Sequence, residues 1–286
     1  MILEEQHKNK NSTILSLINQ LTNAGIEESE AKCEISILEK EFGLENLNKI
    51  KSIVEERIKT RRPIQHILGK AFFMDFEVKV NEQVLIPRPE TELLVEEAVK
   101  RLQKQSKSNK LKALDIGSGS GVIPIGLCKM LSDIEVISID IQPDTIKIAK
   151  ENAIKNGVND RIKFMVQDLF ANEIEELFKE YDFDLIISNP PYIKDDMVSS
   201  LEPEVALHES RIALSGSREN KTGLIYYERI IDLCMDLMNQ THMLLALEID
   251  PPILGGIKQI LKENNLTKFE ILKDYDKLER CLFVSL

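Results

Sequence analysis

The sequence has no basic excess. Its 286 residues carry 37 lysines and arginines against 48 aspartates and glutamates, a net charge of −11. A protein that rides on a nucleic-acid backbone matches phosphates with cations, so no direct nucleic-acid partner is expected. The nearest basic run, Lys59-Thr60-Arg61-Arg62, reads as a solvated helix end, where cations favour the dipole. Cysteines are few and scattered. Cys33, Cys128, Cys234 and Cys281 form no C-x-x-C pair, which excludes the common zinc and thiol-redox motifs. Cys128 and Cys234 fall in apolar helical patterns and read as core. His66, His208 and His242 have no partners at ligand spacing, so no metal is expected. No apolar run approaches the roughly 20 residues of a membrane helix. Met1–Glu5 lacks the basic-then-apolar pattern of a secretion signal. A soluble, cytoplasmic monomer with no membrane partner is expected. No internal repeat is visible.

What is present suits one large domain with a smaller one, and an apolar fraction of 43% supplies the core. The first 60 or so residues read as three amphipathic helices. Ser12 is the expected cap of the first, which carries Ile14, Leu17, Ile18 and Leu21 and ends at Gly25. Ala31, Ile35 and Leu38 mark the second, up to Gly43. Leu44, Leu47, Ile50, Val54 and Ile58 mark the third, with Pro63 beyond. Residues 71–86 are strand-like, with Asn81-Glu82 as the expected turn of a hairpin. The prolines of Ile86-Pro87-Arg88-Pro89 then hold Arg88 on a stiff, extended segment before a helix. Arg88 is either a substrate contact or a partner of Glu90 or Glu92. Lys104–Lys110 reads as a loop.

From Leu111 strands and helices alternate. Strands are expected at Leu111–Ile116, Ile134–Asp140, Ile162–Val166, Phe183–Ser188 and Met243–Glu248, then two close together at Lys268–Lys273 and Arg280–Val284. That pattern predicts an α/β fold whose sheet is mostly parallel, with helices on both faces and an antiparallel edge strand.

The first of these strands runs into Asp115-Ile116-Gly117-Ser118-Gly119-Ser120-Gly121. A glycine turn between strand and helix lets the backbone approach a ligand closely. The dinucleotide fingerprint G-x-G-x-x-G is missed by one position, because Val122 follows. An acid just before the glycines suits a cationic ammonium group better than a pyrophosphate. The second strand ends in Asp140, placed to accept from both hydroxyls of a ribose. The third is followed by Asp168, placed to accept from an adenine amine, with Ile141 and Leu169 as apolar walls. Either aspartate alone reads equally well as a helix cap. Three acidic strand ends in register with a glycine loop indicate a nucleoside, and S-adenosylmethionine ahead of NAD.

The fourth strand enters Asn189-Pro190-Pro191-Tyr192. These are ordinary loop dipeptides, but they also suit a planar nitrogen, whose delocalised lone pair makes it a weak nucleophile. Two fixed acceptors, the Asn189 side-chain carbonyl and the Pro190 backbone carbonyl, would hold both N–H bonds and aim the nitrogen. Consecutive prolines keep that carbonyl rigid, and Tyr192 is expected to offer a flat face. No general base is evident, and none is needed if the methylated cation loses its proton to water.

On these residues the chain resembles the protein-(glutamine-N5) methyltransferases of the PrmC/HemK type, which modify peptide chain release factors. The likeness spans nearly the whole chain. It includes Arg62–Gly69, Leu85-Ile86-Pro87-Arg88-Pro89-Glu90-Thr91-Glu92, Asp115–Gly121, Asp140, Asn189–Tyr192, Pro203-Glu204-Val205, Glu209, Ala213-Leu214 and Leu247-Glu248-Ile249. The chain departs from the family pattern at Asp75, Ser210, Ser215-Gly216-Ser217 and Asp250.

The resemblance implies a Rossmann-like methyltransferase domain over residues 89–286 and a linking β-hairpin over 71–88. It also implies an N-terminal helical domain over 1–70 that helps to dock the substrate. S-adenosylmethionine would lie on Asp115, Gly117, Ser118, Gly119, Ser120, Gly121, Asp140, Ile141, Asp168, Leu169 and Asn189. Asn189, Pro190 and Tyr192 would be catalytic, and Pro191 and Arg88 would join them in holding the glutamine of the release factor's Gly-Gly-Gln loop. The rivals are a nucleic-acid aminomethylase, which should add a basic reading region, and a non-catalytic adenosylmethionine-binding module, which has no need of acceptors beside the methyl group.

Overall fold

The computed structural model describes residues 2–105, 110–216, 222–238 and 243–286. In chain order the helices α1 (Ile2–Asn23), α2 (Glu28–Phe42), α3 (Leu47–Thr60) and α4 (Ile64–Leu68) come first. Strands β1 (Lys70–Phe73) and β2 (Phe76–Lys79) lead to α5 (Pro89–Gln105). Then follow β3 (Leu111–Ile116), α6 (Val122–Met130), β4 (Ile134–Asp140), α7 (Pro143–Lys155), β5 (Ile162–Val166), α8 (Ile174–Phe178) and β6 (Leu185–Ser188). The last elements are α9 (Pro203–His208), α10 (Arg211–Leu214), α11 (Ile225–Leu237), β7 (Leu244–Glu248), α12 (Leu254–Glu263), β8 (Phe269–Lys273) and β9 (Glu279–Ser285). No helix among the described residues is long and apolar enough to cross a membrane.

The chain divides into two compact units, and α9 groups with the N-terminal helices. That first unit, Met1–Gly69 with Pro203–His208, has its own core of Leu17, Leu21, Ile35, Leu38, Ile50, Val54 and Ile64. Its first helix starts at Ile2, well before the expected cap Ser12, because nothing in Ile2–Asn11 breaks a helix and Glu, Gln and Lys there favour one. Arg57 is fully buried inside the unit. It donates to Glu34 at 2.8 Å, Glu204 at 2.9 Å and Glu30 at 3.2 Å. Burial pushes the Glu34 carboxyl up to about 6 despite the Arg57 charge. Arg61 caps α3 in a left-handed conformation, bonds the Ala24 carbonyl and pairs with Glu204 at 2.5 Å. The basic run is therefore a helix end, as its position suggested, but Arg61 is an internal tie rather than a solvated cation.

The second unit is a seven-stranded sheet in the order β5-β4-β3-β6-β7-β9-β8. The first five are parallel, and β9 runs antiparallel to both β7 and β8. Central strands such as Leu185–Ser188 and Leu244–Glu248 are buried at every position. Strands of that kind read as continuous apolar runs, so both are placed from sequence, though they begin at Leu185 and Leu244 and not at the expected Phe183 and Met243. One core, with Val95, Ala98, Ile123 and Leu127, covers one face, and another, with Tyr227, Ile230, Ile257 and Phe178, covers the other.

The hairpin β1–β2 turns at Met74-Asp75, not at the expected Asn81-Glu82. Met74 takes the positive φ of 51° that the turn needs, and Asn81 instead starts a separate turn closed by Val84 N–H. Phe73, Phe76 and Val78 bury the hairpin in the core of the second unit. Asn152 clamps it there, accepting from Lys79 N–H at 2.7 Å and donating to Lys79 O at 2.9 Å. The loop expected over Lys104–Lys110 lies partly outside the described residues, as do Ser217 and His242.

Candidate active site

Chain order reverses direction across β3, which pairs with β4 on one side and β6 on the other. In an open parallel sheet that reversal leaves a crevice at the carboxyl ends of the strands. Here the crevice is a cavity whose wall includes Gly117–Ser120, Asp140, Ile141, Asp168, Leu169, Arg88 and Asn189–Pro191. Residues not named as site residues from the sequence also line it: Gln83, Val84, Gln142, Gln167, Ile212 and Tyr226, with Leu85 and Thr91 from the Leu85–Glu92 motif.

The glycine loop is held from behind. Gly117 and Ser118 both donate backbone N–H bonds to the Ile139 carbonyl, at 2.8 and 3.0 Å. Asn152 donates to Ser120 O at 2.8 Å, so the residue that clamps the hairpin also shapes the loop. Gly117 and Gly119 have φ of +87° and +51°, and a Cβ on Gly117 would meet nothing within 4 Å. That side of the loop is an open cradle. Gly121 differs, and is not on the cavity wall. At φ +84° it lies against α7, where an added Cβ would be 3.1 Å from Ala149 Cβ. Gly121→Ala should therefore lower stability by about 1–3 kcal/mol through overpacking and backbone strain. Urea denaturation measures this, and an unchanged midpoint would contradict the packing role.

Asp115 corrects an expectation. It is fully buried and does not line the cavity, so as placed it offers no surface to an ammonium group. Ser138 Oγ donates to one of its carboxyl oxygens at 2.6 Å and lies 2.6 Å from Ser118 Oγ, while the other carboxyl oxygen has no hydrogen bond. Burial, with the Asp140 charge adding, pushes the Asp115 carboxyl up to about 8. Asp140 is on the wall, accepting from Gly119 N–H at 3.2 Å and Gln142 N–H at 3.0 Å. Burial raises its carboxyl too, against those backbone donors. Asp168 accepts from Phe170 N–H at 2.9 Å. Both aspartates thus tie down the turns that follow them and also face the cavity.

These features fit S-adenosylmethionine. Asp140, a half-buried acid on the wall whose carboxyl desolvation raises, favours a ligand bringing hydroxyl donors. The glycine cradle is open, and Ile141, 44% exposed on the wall, offers apolar surface for a base to cover.

Asn189 follows β6 directly. Its side-chain nitrogen donates to Thr91 Oγ at 3.2 Å, and Thr91 donates to Glu248 Oε2 at 2.6 Å. Glu248 is buried at the end of β7, and burial pushes its carboxyl up to about 7. Tyr192 was expected to face the substrate but is not on the cavity wall. It packs on the core that contains Tyr227 and Ile253, and burial raises its hydroxyl above the usual phenol range. The backbone there is crowded. An added Cβ would lie 2.8 Å from Tyr192 Cα at Gly216 and 2.4 Å from Tyr192 O at Gly223, so only glycine lets those loops brace the segment. Arg88 lines the cavity and pairs with neither Glu90 nor Glu92. Its partner is Glu209, at 2.5 Å, with Glu209 almost fully buried. Glu92 instead accepts from Met74 N–H. Among the described residues no group of His, Cys, Asp and Glu could hold a metal ion.

A family model for a methyltransferase domain matches residues 107–267. A second, for protein-L-isoaspartate(D-aspartate) O-methyltransferase, matches residues 37–172. A release factor glutamine methyltransferase of Fusobacterium nucleatum is 37% identical over 248 residues, 87% of this chain and 67% of that protein. One of Thermodesulfovibrio yellowstonii is 31% identical over 280 residues, 95% of this chain and 96% of that protein. Among solved structures, the hMettl16 catalytic domain in complex with MAT2A 3′UTR hairpin 6 aligns with a TM-score of 0.56 at 16% identity, over 82% of this chain and 81% of that one. That last likeness is one of fold.

Proposed function

This chain belongs to the release factor glutamine methyltransferase family, and from that premise we propose how its cavity performs the reaction. The protein transfers a methyl group from S-adenosylmethionine to the side-chain amide nitrogen of a glutamine in a peptide chain release factor. The observation that carries the site assignment is that Asn189, oriented through Thr91, shares one cavity with the Gly117–Ser120 loop and Asp140.

The donor, when bound, supplies an electrophilic methyl group. Gly117–Ser120, Asp140, Ile141, Asp168 and Leu169 would hold it, and Asp140 would be the acceptor for its ribose hydroxyls. Asp115 acts from beneath the loop, and Gly121 sets how the loop meets α7. The side-chain carbonyl of Asn189 and the backbone carbonyl of Pro190 accept the two N–H bonds of the glutamine amide. They turn its nitrogen toward the donor and favour the pyramidal geometry that methylation requires. The extra proton leaves to water. Tyr192 braces Asn189 and Pro190 from the core side, and Arg88, fixed by Glu209, borders the substrate end. Incubating a release factor with the protein and labelled donor, then mapping the label by mass spectrometry, tests this reading. Label on the Gly-Gly-Gln glutamine is expected, and label elsewhere or none would count against it.

The first unit is assigned to docking the release factor. Leu207 on α9 is 70% exposed and Leu15 on α1 is 60% exposed, so this unit offers apolar side chains to a partner. Leu207→Asp should raise KM for the whole release factor about tenfold, the scale of one lost apolar contact, with donor affinity unchanged. An unaltered KM would remove the docking role from α9.

A further inference from the structure

The Asn189 amide has two ends, and only one serves the reaction. The carbonyl end accepts a hydrogen bond from the glutamine amide, whereas the NH2 end would face another NH2 and find no acceptor. We propose that Thr91 and Glu248 are positioning residues whose hydrogen-bond polarity decides which end of Asn189 meets the substrate. The proposal rests on the reading of the site as a glutamine methyltransferase and adds to it Thr91, on the cavity wall, and Glu248, buried behind it, both acting through Asn189.

The polarity follows from the chain of bonds. An ionised Glu248 can only accept, so Thr91 must donate its hydroxyl hydrogen to Oε2, 2.6 Å away. Thr91 then has only lone pairs to offer Asn189, and it receives the amide nitrogen at 3.2 Å. The Asn189 carbonyl is thereby turned away from Thr91. Thr91 and Asn189 both line the cavity, and Glu248 is buried behind them.

A protonated Glu248 reverses the order. It can donate to Thr91, which frees the Thr91 hydrogen for the Asn189 carbonyl, and the amide turns over. Buried in the second unit, Glu248 stands near the balance point, pushed up to about 7 by desolvation and by Glu90, and held down by Thr91, Arg280 and Arg88. The other groups around it are Tyr227, which donates its hydroxyl to the Glu248 backbone carbonyl, Cys281, its neighbour on β9, and Tyr192 and Asp250, which lie close by. Asp250 is paired with Arg280 at 2.5 Å.

The working form is the ionised one, so kcat should rise with pH through the Glu248 value and fall below it. Three variants of the full chain test this: Thr91→Val, Thr91→Ser and Glu248→Gln. Thr91→Val keeps the shape and loses the hydroxyl, and kcat should drop about tenfold or more with donor affinity unchanged. Thr91→Ser should recover most of that loss, which mere packing would not. Glu248→Gln, which cannot ionise, should lose the acid limb of the kcat profile.

A second readout needs no methylation. The Asn189 side-chain NH2 resonances, assigned by their loss in Asn189→Ala, should move between about pH 6 and pH 8 in the unaltered protein. They should stand still in Glu248→Gln. The proposal is overturned if Thr91→Val retains full kcat, if Thr91→Ser is as impaired as Thr91→Val, or if the acid limb or the resonance shift survives in Glu248→Gln. Absence of methylation in the unaltered protein would instead count against the substrate assignment, while the resonances would still report on Thr91 and Glu248.

Discussion

Asn189→Ala lowers kcat by about a hundredfold or more, the scale seen when one preorganised polar group is removed beside a reacting centre. Donor affinity changes much less, because Asp140, Asp168 and the Gly117–Ser120 loop remain in place on the same cavity wall. The size of the effect comes from what Asn189 does for the nucleophile. An amide nitrogen shares its lone pair with its own carbonyl, and fixed acceptors recover some nucleophilicity by holding its hydrogens while the methyl approaches. Alanine leaves the Pro190 carbonyl alone with that task and leaves Thr91 without its donor. Turnover kinetics with a release factor, set beside calorimetry with the donor, separate the two effects. A folded variant with near-normal kcat would remove Asn189 from the chemistry, and a variant that failed to bind donor would move it into the donor site.

Asp140→Ala weakens S-adenosylmethionine binding by about tenfold or more. A charged acceptor meeting the two ribose hydroxyls is worth on the order of 1.5–3 kcal/mol. Asp140 also holds Gly119 N–H at 3.2 Å and Gln142 N–H at 3.0 Å, so its loss frees both the glycine loop and the turn after β4. Asp140→Asn keeps one acceptor and should fall between the two. Calorimetry on the folded variants decides, and unchanged donor affinity in Asp140→Ala would refute the assignment.

Strands β3, β4 and β5 begin and end where the apolar runs do, since both faces of a parallel sheet are covered. The relation of the glycine loop to Asp140 and Asp168 was equally legible, because each follows its strand directly in an alternating fold. Long-range partnerships were not. Arg88 finds Glu209 at a separation of 121 residues, and Thr91 finds Glu248 at 157. No periodicity encodes such pairs. Thr91 lay inside a segment already singled out, yet nothing local marked it as the support of Asn189. Asp115 looked like a ligand contact because it adjoins the glycines, but an acid in a central strand sits beneath the loop, not in it. The hairpin turn was misplaced for a related reason. Asn81-Glu82 has turn chemistry, whereas the turn falls at Met74, which takes a positive φ between Phe73 and Phe76, both buried in the core of the second unit.

The central claim is that the site recognises an amide NH2 on a protein. Two carbonyl acceptors welcome a group with two donors and repel a carboxylate, which at neutral pH has none. Duplex DNA presents an exocyclic amine only after a base is flipped out, at a cost of a few kcal/mol, and a net charge of −11 gives little to hold the opened strand. The most direct measurement offers the protein one labelled donor and three substrates: a release factor, the same factor with its Gly-Gly-Gln glutamine changed to glutamate, and DNA. Labelling of the release factor alone is the predicted result. Strong labelling of DNA with none of the release factor would contradict it.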